Sequence, residues 1–152
     1  MKTKILLVSL VMCFASAVCL AENVNVGTWK LNEGKSKFSV GAPKSDKVVV
    51  VAAGDNLTVT IDGTLNGKPV RSEWTGKFDG KEYPVTGDPY QEVRSYTKVD
   101  DHNAKFEIKR GGKVVLSGTL AISADGKTRT VNAGGTSADG KKIDYTAVYD
   151  KQ

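Results

Sequence analysis

The chain has 152 residues, with 22 basic side chains against 17 acidic ones, two cysteines and a single histidine. The net charge of +5 is modest and the lysines are scattered, many of them in turns, while aromatics make up only 7% of the chain. That combination excludes the clustered basic face with stacking aromatics that nucleic acids require.

The chain opens on a basic Met1-Lys2-Thr3-Lys4, followed by an apolar run from Ile5 to about Phe14. Small residues follow, from Ala15 to Ala21, and the sequence turns polar at Glu22-Asn23. Basic, apolar and then small is the order of a secretory signal peptide, and the best cleavage point follows Ala21. The apolar run is shorter than the about 20 residues a transmembrane span needs, so stable membrane insertion is not expected. Cys13 follows Met12 and Cys19 follows Val18, neither of which suits a lipid-attachment site. Residues 1–21 are therefore read as a signal peptide and 22–152 as one exported domain, periplasmic or secreted. Loss of Lys2 and Lys4 leaves 20 basic against 17 acidic residues, a net +3. Both cysteines leave with the signal, so the mature domain must hold together by burial and strand pairing alone.

From residue 22 onward the pattern is of strands and turns. Signals of the form x-Gly-Lys recur at Asn66-Gly67-Lys68, Asp79-Gly80-Lys81, Gly111-Gly112-Lys113, Asp125-Gly126-Lys127 and Asp139-Gly140-Lys141. Asn-Gly and Asp-Gly favour tight hairpins. Between the turns lie runs rich in Val, Thr, Ile, Tyr and Phe, which predict strands near 26–32, 46–53, 56–63, 69–78, 81–85, 91–99, 104–110, 113–123, 127–134 and 141–149. No sustained helical period appears. Ala104, Phe106 and Ile108 alternate with Lys105, Glu107 and Lys109; Leu57, Val59 and Ile61 alternate with polar residues; Ser72, Trp74, Gly76 and Phe78 share a face. Such half-polar strands belong to antiparallel sheets.

Matching apolar faces also predicts register. A three-residue turn at Gly111–Lys113 sets Ile108 against Leu116 and Phe106 against Gly118. A two-residue turn at Asp79-Gly80 sets Tyr83 across from Gly76. Val131 and Ala133 are expected to be buried before Gly134-Gly135, while Thr136 and Ala138 match Ile143 and Tyr145 after it, and a bulge at Gly134-Gly135 reconciles the two. About ten hairpin-linked strands leave two exposed edges unless the sheet closes, and an antiparallel up-and-down barrel of about 8–10 strands closes it most simply.

Gly27-Thr28-Trp29 opens the first strand, and a lone large aromatic there suits a barrel plug. It resembles the Gly-x-Trp opening of lipocalin and fatty-acid-binding (calycin) barrels, in which the Trp closes the narrow end. Gly27–Phe38, Asp79–Pro89, Ala124–Thr130 and Val148–Gln152 together resemble a group of small secreted bacterial lipocalin-like proteins of unassigned function. The resemblance implies a barrel closed at Gly27 and Trp29. Two departures stand out. Residues 33–45 show no amphipathic helix for the two-helix lid of fatty-acid-binding proteins. No Arg on the final strand is available to cover Trp29, leaving Lys151 or Tyr149 as the candidates.

Chemistry is sparse. His102 sits in turn composition, no Gly-x-Ser-x-Gly elbow exists, and a structural zinc site lacks ligands. The chain is read as a non-enzyme without a cofactor. The inward set Leu57, Val59, Ser72, Trp74, Phe78, Phe106, Ile108, Leu116, Leu120 and Tyr145 is apolar with a few hydroxyls, as ligand pockets are. From it, Trp74, Phe78, Ser72, Phe106, Ile108, Leu116 and Tyr145 are the expected contacts to a small apolar ligand. Tyr83, Pro84 and Tyr90, in a stiff proline-bearing stretch, are the expected rim of the mouth. The alternative is a protein-interaction or inhibitor module acting through that rim and residues 33–45; an isomerase or cyclase would need an interior acid or base that the pattern does not supply.

Overall fold

The computed structural model describes residues 23–137 and 139–152, so the signal-peptide assignment falls outside the described residues. Eleven strands form: β1 (Gly27–Leu31), β2 (Lys37–Phe38), β3 (Lys44–Ala53), β4 (Asn56–Leu65), β5 (Lys68–Gly76), β6 (Tyr83–Thr86), β7 (Val93–Lys98), β8 (Asn103–Arg110), β9 (Lys113–Ile122), β10 (Thr128–Thr136) and β11 (Lys142–Lys151). All ten expected strands are present. Each pairs antiparallel with its neighbour in sequence, and β1 pairs with both β3 and β11. The meander is thus a closed ten-stranded ring, compatible with a calycin-type barrel. Among the described residues no helix is long and apolar enough to cross a membrane.

The eleventh strand, β2, was not legible in the sequence. It pairs with β11 at Phe38↔Tyr145 and Lys37↔Thr146, just beyond the stretch that β1 covers. Together β1 and β2 behave as one strand interrupted by a short 3-10 turn, Glu33–Lys35. Ser36 bridges the interruption: its hydroxyl accepts the Val148 N–H (2.9 Å) and donates to the Asn32 carbonyl (2.7 Å). The Val148 N–H and carbonyl thus both keep partners, the carbonyl accepting the Asn32 N–H (2.8 Å), as buried backbone groups require. Residues 33–45 carry this turn, β2 and the start of β3, and no lid helix.

Register agrees with the pattern in two hairpins and corrects it in detail. Ile108 pairs with Leu116 and Phe106 with Gly118 as expected, but Lys109 pairs with Val114. The turn is therefore the two residues Gly111-Gly112, and Val115 is the extra residue of a β-bulge. Tyr83 does pack over Gly76, yet residues 77–82 form no two-residue hairpin. That segment leaves β5 and meets β7, through an Asp79↔Thr97 bridge and a Lys98 N–H to Phe78 carbonyl bond. The expected bulge at Gly134-Gly135 is absent: the ladder runs unbroken through Ala133↔Tyr145, Gly135↔Ile143 and Thr136↔Lys142. A longer connection, 137–141, removes the conflict that the bulge was meant to solve.

Two glycines are fixed by geometry. Gly27 has φ +140°, and a Cβ there would lie 2.5 Å from the Lys151 Cε. The Lys151 stem crosses Gly27 to bring its ammonium 5.2 Å from the Trp29 ring centroid. Lys151 thus covers the tryptophan, as one of the two candidates in the sequence. Gly135 lies against the bulge, where a Cβ would be 2.0 Å from the Val115 carbonyl oxygen. Its neighbour Gly134 has nothing nearer than 3.8 Å. Gly135→Ala is expected to destabilise the fold by about 1–3 kcal/mol through overpacking, and Gly134→Ala by no more than about 0.5 kcal/mol. Urea unfolding midpoints of the pair check this; equal shifts would refute the close approach of bulge and strand.

Candidate functional site

The ring has two different ends. The turns after β3, β5, β7 and β9 gather at one end, where β1 begins and β11 finishes. Trp29 is fully buried there and its indole N–H donates to the Asn25 carbonyl (2.9 Å). Trp74, also fully buried, packs edge-on against Phe78, Tyr83 and Tyr96, and Phe78 stacks on Tyr96 at 4.5 Å between centroids. These aromatics fill the end by burial and edge-to-face contact.

The other end is framed by residues 32–43 and by the turns after β4, β6, β8 and β10. Here an interior cavity of about 90 Å³ begins and runs down to Leu120 and Arg129. A second cavity, also about 90 Å³, lies at the mouth between Gly41, Pro43, Leu65, Tyr90, Val115 and Ile143. The two share Pro43, Leu65, Asp88, Gln91, Ile108 and Leu116 along their walls and so adjoin as a channel from the mouth inwards. A wider groove along β9–β11, lined by polar residues such as Lys37, Thr119, Asn132 and Thr146 and by Phe38, Ala133 and Tyr145, is more open to solvent.

The channel's lower part is not the apolar interior that strand alternation predicts. Arg94 and Arg129 are both buried, at 2% and 4% exposure, and both line it. Arg94 donates to the Gln91 side-chain oxygen and more weakly to the Tyr96 hydroxyl (3.4 Å). Gln91 in turn donates to Asp88 (2.6 Å), so the one carboxylate lining the cavity reaches Arg94 only through an intervening amide. Arg129 forms no ion pair with any described carboxylate, and its Nε has no hydrogen-bond partner; the Arg94 Nε is likewise unpartnered. Burial pushes the Arg129 guanidinium below its ordinary pKa, Tyr96 and Tyr149 oppose that, and Arg94 adds to it. A guanidinium remains charged regardless at any pH a cell meets.

Three tyrosines, Tyr96, Tyr145 and Tyr149, complete the polar floor. Burial is the main cause that raises the Tyr145 and Tyr149 phenols above their ordinary pKa; for Tyr149 the Arg129 charge and a Ser45 hydrogen bond pull the other way.

Of the residues expected to meet a ligand, Ser72, Phe106, Ile108, Leu116 and Tyr145 line the cavity. Trp74 and Phe78 belong instead to the aromatic plug, although the Trp74 indole N–H donates to the Arg94 carbonyl (2.9 Å) and so fixes that arginine's backbone. The expected rim divides. Tyr90 lines the mouth with Arg110 5.4 Å from its ring, while Tyr83 sits at the plugged end and donates to Asp79, and Pro84 lies within β6. Arg94 and Arg129 were the residues missed. The signal was present: Arg129 has the parity of Val131 and Ala133, and Arg94 that of Tyr96. His102 is half-buried in the β7–β8 turn with Nδ1 3.1 Å from the Ile122 carbonyl oxygen. Among the described residues no cluster of three His, Cys, Asp or Glu side chains is placed to hold a metal ion. Comparison with protein-family models and with curated proteins finds no match.

Two outcomes are expected. Burying an unpaired charge costs several kcal/mol even after relaxation, so Arg129→Met is expected to raise unfolding stability by about 1 kcal/mol or more. A drop in melting temperature would show that Arg129 is compensated within the chain. The raised tyrosine values mean that the unfolded chain loses its phenolic protons first, near pH 10, while the native one keeps them. Stability contributed by Tyr149 is therefore complete below about pH 10 and lost as pH rises above it. Tyr149→Phe is expected to flatten the alkaline fall in melting temperature; an unchanged slope would count against its burial as the cause.

Proposed function

We propose that this protein is an exported carrier that holds one small molecule inside its barrel, entering through the end framed by the β4–β5, β6–β7, β8–β9 and β10–β11 turns. The observation that carries this reading is the channel of adjoining cavities at one end of a barrel whose other end is filled by Trp29 and the Trp74 cluster. Carriers of small molecules hold them in concave sites with apolar walls and a few placed polar groups. Here Ile108, Leu116 and Phe106 supply apolar wall, and Ser72 and Tyr145 supply hydroxyls. The channel is narrow. Each cavity is below the roughly 150 Å³ that suffices for benzene, and well below the several hundred Å³ of drug-sized sites. The cargo is accordingly small, or the mouth side chains part to admit it.

The basic, apolar, small-residue order of residues 1–21 supports export, and a periplasmic or secreted location follows from it. The reading involves no catalysis. Native mass spectrometry of protein isolated from its host's envelope, before and after mild denaturation, tests the carrier role. A reproducible added mass that disappears on unfolding is expected. A bare chain mass under every growth condition would overturn it and favour a protein-interaction role through the mouth loops.

A further inference from the structure

We propose that the protein carries a second site, outside the barrel, that binds a short neutral saccharide in the groove along β9–β11. The argument begins with a glycine. Three glycines interrupt these strands, and two are forced by packing: a Cβ at Gly118 would lie 2.1 Å from the Asn132 carbonyl oxygen, and one at Gly135 2.0 Å from the Val115 carbonyl oxygen. Gly134 is under no such constraint. Its φ is not positive, and a Cβ would meet nothing nearer than 3.8 Å. A glycine inside a strand weakens it, and where no bulge or packing contact demands one it marks a place where something else approaches the backbone. Gly134 lines the groove, whose volume is about 680 Å³ against about 90 Å³ for each interior cavity.

The lining defines the ligand. Register places Lys37, Thr146, Asn132 and Thr119 side by side on β2, β11, β10 and β9, and in the next row Asp144 and Ser117 flank Gly134. The first row spans three strand spacings, about 14 Å, which is longer than one sugar ring. The second dips at Gly134, where no side chain rises. One strand further, Lys105 pairs with Thr119 and Glu107 with Ser117, so long charged side chains replace the short ones. Thr146 donates to the Asn132 side-chain oxygen (2.7 Å), which leaves the Asn132 NH2 as a donor. Lys37 and Asp144 form no ion pair with any described residue. The groove thus offers one cation, one carboxylate, an amide and several hydroxyls, with no net charge. A sugar hydroxyl both donates and accepts, which this mixture matches; an anionic ligand would meet Asp144 and a cationic one Lys37. Phe38 and Tyr145, stacked at 5.6 Å, add ring surface for the C–H face of a sugar. An extended peptide is not the occupant, because β9, β10 and β11 are paired on both sides and take no further strand.

Amide NMR titration of the purified protein with neutral di- and trisaccharides of glucose, galactose, mannose and N-acetylglucosamine tests the proposal. At least one of these is expected to shift the signals of Ser117, Asn132, Gly134 and Thr146 in a saturable way. Gly134→Ala and Gly134→Leu, whose side chains project into the groove, are expected to weaken that binding in steps, by at least about tenfold for leucine, the effect of losing one hydrogen bond. Undiminished binding by Gly134→Leu would overturn the site. So would a panel in which no saccharide shifts these signals. Shifts confined to interior residues such as Phe106 and Ile108 would overturn it too, and would support the carrier reading instead. Where the shifts fall in the natural protein does not depend on how the variants fold.

Discussion

Three residues of pairing between β1 and β11 convert a meander into a ring, and everything else in this molecule is conditional on them. Trp29↔Lys151, Lys30↔Asp150 and Leu31↔Tyr149 are the closing register. Without it, two strands would present unpaired N–H and C=O groups, a template for aggregation in a domain that has no disulfide to restrain it. So short a seam needs reinforcement, and it has it from side chains. Trp29 fills the end beneath the seam, Lys151 lies across Gly27 onto the Trp29 ring, and the Asn32 amide donates to Asp150 at 2.7 Å. The Gln152 N–H adds a last bond to the Thr28 carbonyl. The Gly-x-Trp opening acquires a physical meaning here: the glycine makes room for the lysine stem that caps the tryptophan.

Closure at one end determines what the other end can be. A ten-stranded ring encloses more than two tryptophans can fill, and the aromatic groups are not spread evenly along it. They are concentrated around Trp74, with Phe78, Tyr83 and Tyr96 in contact with it. The mouth half holds Tyr90 and the Phe38–Tyr145 stack (5.6 Å between centroids), and is otherwise left to smaller aliphatic residues and to the channel. Trp74 joins the two halves, for its ring belongs to the plug and its N–H holds the Arg94 backbone. The weakest stretch of wall is β6, tied by two register pairs on each side and carrying Pro84, which has no N–H to donate. Tyr83, seated over Gly76 and bonded to Asp79, secures it at the plugged end.

Most of this architecture was legible in the sequence because strand alternation is a local property. Phe106 and Ile108 against Lys105 and Glu107 fix a face whatever the rest of the chain does. The features that escaped depend on distant partners. β2 exists only because Ser36 can complete the β11 ladder, and two residues carry no pattern of their own. The turn at Gly111-Gly112 was misjudged because a bulge at Val115 and a longer turn give the same pairing for Ile108. Part of the cavity lining was legible too, since Ser72, Phe106, Ile108, Leu116 and Tyr145 follow from parity. Arg94 and Arg129 escaped through the ordinary assumption that a long charged side chain on a strand faces water. Parity placed both inside, and parity was the better guide.

That misjudgement bears on function. A chain that folds by burial alone gains nothing from two guanidiniums in its interior, and stability would favour leucine or methionine at either position. Arg94 is partly accommodated by Gln91 and, through it, by Asp88. No such relay serves Arg129. The sites where sequence rules and structure conflict are the sites where a protein gives up stability for something else. Here the conflict lies at the bottom of a channel that opens to solvent, beside three tyrosines and below an apolar mouth.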